Sequence, residues 1–259
     1  MHNFKLVKEM FKNYESRDLI EVISNNDPMN NQWYFSVGRS AVEVIAAAIM
    51  ASNIQNVNKA LDLACGYGRV LRHIVNLFPE AEFHACDLDK DGVEFCAETF
   101  GAIPIYSPEE LTDLKFESKY DLIWIGSLFT HINHDFTRRW LSHLSNFLSS
   151  QGIIIATFHG RWSQDVHNIV PYIGERKWKK IIKDYLLHGY GYHDYSPDES
   201  HNYISGSYGI SLAKPHVIIR DLENIPRIRI YLYMERGWAD HQDVVAFGRP
   251  SYCEPWPDP

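Results

Sequence analysis

The sequence predicts an α/β protein built on a doubly wound, seven-stranded, mostly parallel sheet with an antiparallel last strand, a helical N-terminal extension and an insertion after the fifth strand. Three observations predict it. Between residues 59 and 160, short apolar runs alternate with segments of helical spacing, the pattern of strands that return through helices to a parallel sheet. The first run, 60–64, meets Gly66 and Gly68 and passes at once into a helical repeat of Val70, Leu71, Ile74, Val75 and Phe78. The chain then closes on two strand-like runs, 228–234 and 243–247, near enough in sequence for an antiparallel hairpin.

Each element follows from its residues. Phe4, Val7, Met10, Phe11 and Tyr14 recur at helical spacing, so the first twenty or so residues form an amphipathic helix that covers another surface as a lid or flank. Asn25-Asn26-Asp27-Pro28 marks a loop over 24–31, and Ala, Val and Ile drive a helix over 40–51. The aromatic stretch 33–39 between them reads as packing beneath that helix, or, more sharply, as presenting Arg39 to an anionic ligand group near the glycines. Strands are predicted at 81–89, 103–107, 120–127 and 153–158, with helices at 93–100 and 136–148 and a turn at 149–152. From 160 to 210 the alternation stops, leaving one helix around 177–187; a helix over 213–222 precedes the hairpin, and the Pro-rich tail is extended. The whole reads as one domain: a helical cap (1–55), a core (56–160), an insertion or lid (161–212), a final helix and hairpin (213–250) and a tail (251–259).

Composition bounds the function. With 45% apolar and 22% charged residues the chain is an ordinary globular protein rather than a disordered or fibrous one. The balance of 25 basic against 33 acidic side chains argues against non-specific nucleic-acid binding, because no cation excess is available to displace counterions. The N-terminus lacks a signal-peptide core, and the longest apolar run, 44–51, is too short to cross a bilayer. Cys65, Cys86, Cys96 and Cys253 have no CxxC spacing and read as reduced thiols. The expectation is a cytoplasmic protein with neither nucleic acid nor membrane as partner, whose 15 Tyr, 13 Phe and 7 Trp lie either in the core or in a substrate pocket.

In a doubly wound sheet, ligands bind beyond the carboxyl ends of the strands. That rule gathers 62–68, 87–88, 107–109, 125–131 and 158–161 at one edge. Gly66 and Gly68 stand where the backbone turns sharply and where a new helix offers free N–H groups to a ligand. Asp62, near the end of a buried strand, needs a hydrogen-bonding partner at the mouth of the sheet. Asp87 ends the second strand 25 residues later.

The run Leu61-Asp62-Leu63-Ala64-Cys65-Gly66-Tyr67-Gly68-Arg69 resembles the cofactor loop of class I S-adenosylmethionine-dependent methyltransferases, an acid, three residues, Gly, one residue, Gly. The resemblance extends over residues 59–160 through Asp87, the strand Tyr120-Asp121-Leu122-Ile123 leading to Ser127 and His131, and Ser150-Gln151-Gly152 before the fifth strand; the terminal hairpin also matches that Rossmann-like fold. More loosely, Gly237-Trp238 with His241-Gln242-Asp243 looks like the ending of bacterial small-molecule or glycan-associated members. One departure is Ala64, where many members carry Gly. The resemblance implies S-adenosylmethionine as cofactor and S-adenosylhomocysteine as product. It implies that Asp62, Ala64, Cys65 and Gly66 hold the methionine end and that Asp87 takes both ribose hydroxyls. Leu88 would pack on the adenine, Ser107 (with Pro108 and Glu109) would meet its edge, and Ile125, Gly126 and Ser127 would line the floor beneath the sulfonium.

A GxG after a strand also opens dinucleotide sites, but Leu71 stands where that fingerprint has its third glycine, which turns the reading away from an NAD-dependent oxidoreductase. A non-catalytic binding module on the same fold is the other alternative. His131, just past the fourth strand, is the candidate general base for methyl transfer to oxygen or nitrogen; its other reading is a loop histidine bonded to the backbone. His159, His193, Asp194 and Tyr195 are further candidates for positioning the acceptor. His131, His134 and Asp135 have a metal-like spacing but lack a second cluster, so no metal is expected.

Overall fold

A computed structural model describes residues 2–196, 204 and 207–250. The predicted tail, Cys253 and part of the insertion lie outside these residues. Seven strands form the main sheet: β1 (Lys59–Leu63), β2 (Glu82–Asp87), β3 (Ile103–Tyr106), β4 (Tyr120–Ile125), β5 (Leu148–Phe158), and the late pair β8 (Arg229–Trp238) and β9 (Gln242–Gly248), in the order β3-β2-β1-β4-β5-β9-β8. The first five run parallel, and β9 is antiparallel to both neighbours.

Side-chain alternation divides the apolar residues cleanly between the two faces. Ala60, Ala85, Leu122, Trp124, Ile153, Ile155, Val244 and Ala246 point into one core, packed by α2 (Tyr34–Ala51), α3 (Leu71–Leu77) and α4 (Lys90–Phe100). Leu61, Leu63, Cys86, Ile123, Ile125, Ile154, Val245 and Phe247 point into the other, packed by α5 (His134–Ser145) and α8 (Pro215–Glu223). Chain direction across the sheet reverses between β1 and β4, and a crevice opens at their carboxyl ends.

Several boundaries differ from expectation, each for a physical reason. The 33–39 stretch is not a separate aromatic segment but the start of α2, drawn into the helix because Tyr34 is buried against Arg72. Residues 149–152, expected as a turn, belong to β5, where they form a register irregularity opposite Tyr120. Gly152 allows it, since a Cβ there would lie 2.3 Å from the Tyr120 carbonyl. In the insertion, α7 (Glu175–His188) is the helix expected around 177–187, and α6 (Arg161–His167) and an antiparallel pair, β6 (Tyr190–Asp194) with β7 (Gly209–Ala213), take the place of irregular chain on either side of it. Helix α7 and strand β7 share a small core of Trp178, Ile181, Tyr185, Ile210 and Leu212. β7 takes Ala213, so α8 begins at Pro215, a residue suited to the first turn because it lacks an N–H. By length and composition α2 would also suffice to cross a membrane, although the apolar run 44–51 alone would not; half of it is buried against the sheet and its neighbouring helices.

The N-terminal helix α1 (His2–Glu15) packs on α2 and α3 and does not reach the crevice. The segment after it does, through Asp27, Pro28 and Met29. Arg72, fully buried, holds that segment: its guanidinium donates to the carbonyls of Ile20 (2.7 Å) and Val22 (3.0 Å), to Tyr34 Oη (3.1 Å) and to Gly68 (3.2 Å). Asn76 Nδ2 adds a bond to the Asp18 carbonyl.

Candidate active site

The joint after β1 is built from three left-handed residues in five, Ala64 (φ 61°), Gly66 (φ 49°) and Gly68 (φ 73°). The N–H groups of Ala64 and Cys65 both donate to the Cys86 carbonyl, and the Gly66 N–H donates to Asp87 Oδ2 at 2.8 Å, tying the loop to the end of β2. The two glycines do different work. A Cβ on Gly66 would meet nothing within 4 Å, so the backbone there borders open space where a ligand can approach. A Cβ on Gly68 would strike Phe100 at 2.4 Å, so that glycine serves the packing of α4 rather than the crevice.

Beside this loop a cavity of about 710 Å³ opens, within the range of small-molecule sites, roughly 300–1,000 Å³. Asp62 lies in its wall, 3% exposed, and its Oδ2 has no hydrogen-bond partner. Burial and then the neighbouring Asp87 charge raise its pKa well above the usual carboxylate value, against the pull of the Leu71 backbone N–H. Asp87 also lines the cavity; burial raises its pKa, opposed by the N–H groups of Asp89 and Gly66. A buried carboxylate oxygen without a partner, beside a second, half-buried carboxylate, suits cationic or hydrogen-donating groups of a ligand.

Farther along, Leu88 and residues 107–111 form one side with Phe136 and Trp140, whose rings stack at 5.2 Å. Glu110 anchors that side. Burial opposes its ionisation, but bonds from Thr112, Trp140 Nε1 (2.6 Å) and Arg139 hold its pKa at about 2. The floor is Gly126 and Ser127. Ser127 sits at φ 60°, a strained conformation for a residue with a Cβ. A closed set of bonds fixes it: its N–H donates to Thr157 Oγ1 (2.8 Å), Thr157 Oγ1 donates to Gln242 Oε1 (2.6 Å), and Gln242 Nε2 donates to Ser127 Oγ (2.8 Å).

The far end is walled by rings. His131 stacks on Tyr208 at 4.9 Å, and its Nδ1 lies 2.7 Å from the Gly209 carbonyl, which places the proton on Nδ1 and makes Nε2 the basic nitrogen. His159 stacks on Tyr172 at 4.8 Å, and the Tyr172 hydroxyl bonds His241 Nε2 at 2.5 Å. Burial lowers the pKa of His241, lowers that of His159 well below the usual value, with the His131 and His241 imidazoles adding to the effect, and raises that of Tyr172 to about 12.

The crevice thus brings together Asp62, Ala64, Cys65, Gly66, Asp87, Leu88, Ser107, Gly126, Ser127 and His131. His159 and Tyr195 join them. Three predicted residues stand elsewhere. Arg39 faces outward, its guanidinium 5.5 Å from the Tyr14 ring centroid, because Gly38 is the residue of α2 that packs against the Arg69 carbonyl and turns the next side chain away. Gly68 is committed to Phe100, and Ile125 points into the core beneath the sheet. His193 and Asp194 also lie off the cavity, bonded within the β6 edge. Of the metal-like trio, His134 bonds Asp221 at 2.6 Å and Asp135 pairs with Arg138 and Arg139. Arg69 takes the position foreseen for Arg39, as the one Lys or Arg among the described cavity walls, 5.7 Å from the Trp238 ring centroid. Tyr172, His241 and Gln242 were not foreseen as site residues; the only signal was the His241-Gln242-Asp243 run.

Comparison with known proteins agrees with this geometry. Residues 61–154, from β1 into β5, match the family model of a methyltransferase domain. No curated protein matches the sequence. Among solved structures, an S-adenosylmethionine-dependent methyltransferase from Clostridium acetobutylicum is 15% identical, with 84% of this chain and 92% of that one covered at a TM-score of 0.51. PH0226 protein from Pyrococcus horikoshii is 16% identical (88% and 96% covered, TM-score 0.55), and DhpI, solved as a complex with SAH, is 14% identical (95% and 98% covered, TM-score 0.55). At such identities the likeness is one of fold. Sheet order, glycine joint and the matched segment together give the chain the Rossmann-like fold of class I methyltransferases.

Proposed function

We propose that this protein transfers the methyl group of S-adenosylmethionine to an oxygen or nitrogen of a small-molecule acceptor. The observation that carries the reading is the buried, unpartnered Asp62 Oδ2 in the wall of a cavity bordered by the open backbone of Gly66. An ammonium group satisfies that oxygen, and Arg69 is the guanidinium available for the carboxylate of the same amino-acid end. Asp87 keeps lone pairs beyond its bonds to the Gly66 and Asp89 N–H groups and takes the ribose hydroxyls. Leu88, Ser107, Phe136 and Trp140 form an apolar slot suited to the adenine.

When bound, the cofactor supplies an electrophilic sulfonium methyl. The chain's own residues hold the acceptor in line with it, an effect worth up to about 7–11 kcal/mol in well-oriented systems. His131, its tautomer set by the Gly209 carbonyl, accepts the proton of a hydroxyl or amine through Nε2. The insertion covers the acceptor end and excludes water. The free thiols Cys65, Cys86 and Cys96 suit a reducing, cytoplasmic setting. Calorimetry with S-adenosylhomocysteine tests the cofactor assignment. Saturable binding that Asp87→Ala weakens at least tenfold is expected, and equal binding by that variant would rule the assignment out.

A further inference from the structure

A second cleft lies across the first turns of α2 from the methyl-donor cavity. Val37 lines that cavity, whereas Phe35, Ser36 and Arg39, on the other side of the helix, line the cleft. Tyr14 from the end of α1, Arg17 and Leu19 from the segment after it, and His73 from α3 enclose the rest. The cleft has a volume of about 320 Å³, at the lower end of small-molecule sites. The methyl transfer proposed above uses none of these residues.

Two of its walls are guanidiniums, each on a fixed support. Arg39 lies over the Tyr14 ring, 5.5 Å from the centroid; burial raises the Tyr14 pKa, and Arg39 opposes the rise by its charge and a hydrogen bond. The Tyr14 hydroxyl in turn lies 2.7 Å from Nδ1 of His73, a ring only 1% exposed. The segment that carries Arg17 is tied to α3, because Asn76 donates to the Asp18 carbonyl and Arg72 to the carbonyls of Ile20 and Val22. The field here is positive. Burial, then the Arg72 and Arg39 charges, lower the His73 pKa to about 4. Arg138, Arg139, Arg161 and Arg236 each pair with an Asp or Glu, whereas among the described residues neither Arg17 nor Arg39 does.

We propose that this cleft is a second binding site, separate from the methyl-donor cavity, for a small organic anion: Arg17 and Arg39 take its carboxylate or phosphate, and its apolar body lies against Leu19 and Phe35. A guanidinium presents a planar fork of donors that matches the oxygens of either head group. Two such forks on one cleft concentrate anions locally even though the chain as a whole has a net charge of -8. The apolar walls select an anion with a hydrophobic body, since a bare inorganic ion would leave them uncovered.

The test titrates the full chain with phenyl phosphate, benzoate, benzylamine and inorganic phosphate at pH 7, followed by protein-observed NMR. Phenyl phosphate or benzoate should shift the Tyr14 and Ser36 amide resonances and bind at least tenfold more tightly than benzylamine or inorganic phosphate; the tighter of the two identifies the head group. Arg17→Gln and Arg39→Gln should each weaken that binding about tenfold. Both positions are exposed, so each variant should melt within about 2 °C of wild type. Equal or tighter binding of benzylamine or inorganic phosphate, unchanged affinity in both arginine variants, or no shift at Tyr14 and Ser36 with either organic anion would overturn the proposal. None of these readouts needs cofactor or acceptor, so their outcome stands apart from the methyl-transfer reading.

Discussion

Asp62→Asn separates what the buried acid does for the fold from what it does for the ligand. Without ligand, Asp62 is a carboxylate whose Oδ2 has no partner and whose neighbour Asp87 carries the same charge. Its folded pKa lies well above the ordinary 3.8, so the folded state holds the proton more tightly than the unfolded chain does. Stability contributed by that proton is present below the unfolded value and is lost as pH rises, which makes ionised Asp62 a liability at neutral pH. Asn retains an oxygen for the Leu71 N–H and removes the charge. Burial and the Asp87 charge penalise ionised Asp62 in a way that neutral Asn escapes; taking about 2 kcal/mol for that penalty, the ligand-free variant should melt about 4–8 °C above wild type at pH 7. The gain should disappear as pH falls toward 3.8, where both states protonate the acid. The same change removes a charge-assisted hydrogen bond to the ligand ammonium, worth about 1.5–3 kcal/mol, so affinity for S-adenosylhomocysteine should drop about 10- to 150-fold. Scanning calorimetry across pH and isothermal titration report the two halves. A variant that melts lower than wild type and binds the ligand unchanged would refute the reasoning, because Asp62 would then be a structural acid.

Other predictions follow from the same geometry. Ala64→Gly should raise stability by about 1 kcal/mol, the left-handed penalty of an L-residue less the entropy of glycine, with a melting rise of about 2–4 °C and unchanged ligand affinity; a lower melting point would show that the φ of 61° is not strained. Arg69→Gln should weaken S-adenosylhomocysteine binding about tenfold or more, whereas Arg39→Gln, on the outer face, should leave it alone; the reverse order in titration would restore the sequence-based assignment. His73, 1% exposed, has its pKa lowered to about 4 by burial and by the Arg72 and Arg39 charges. Its contribution is intact above the ordinary 6.5 and is lost as pH falls toward 4, about 3 kcal/mol in all. His73→Gln should therefore flatten the pH dependence of the urea midpoint over that interval, and an unaltered slope would contradict the shift. Once an acceptor is in hand, His131→Phe should lower kcat about 10²–10⁴-fold with cofactor affinity retained; a normal kcat would mark His131 as a wall residue only.

What the sequence disclosed depended on how local the information was. Strand periodicity placed the sheet because alternate residues such as Leu122 and Ile123 must enter opposite cores, and that alternation is written into adjacent positions. The acids Asp62 and Asp87 were legible because each ends its own strand. Ala64 looked like an unexplained departure until its φ of 61° showed a left-handed position of the kind that favours glycine. Helix phase was not legible. With the aromatic stretch read as separate from α2, nothing showed that Gly38 would seat against Arg69 and send Arg39 outward.

At the acceptor end Ser127, His131, His159 and Tyr195 were foreseen, whereas Tyr172, His241 and Gln242 were not, because they join it from distant segments. Gln242 reaches Ser127 across 115 residues, and Tyr172 reaches His241 across 69. Neither pairing leaves a mark in local spacing. The β6–β7 pair was hidden by a run of Gly, Tyr and His that lacks clear alternation and gains its strand form from the Trp178 and Ile181 core beneath it.

On this reading the glycine joint, the buried Asp62 and the half-buried Asp87 form a methyl-donor site. Isothermal titration of the wild-type chain with S-adenosylhomocysteine, beside an identical titration with NAD, tests it most directly. The account predicts saturable one-site binding of S-adenosylhomocysteine and none of NAD at the same concentrations; NAD binding without S-adenosylhomocysteine binding, or no heat from either, would contradict it.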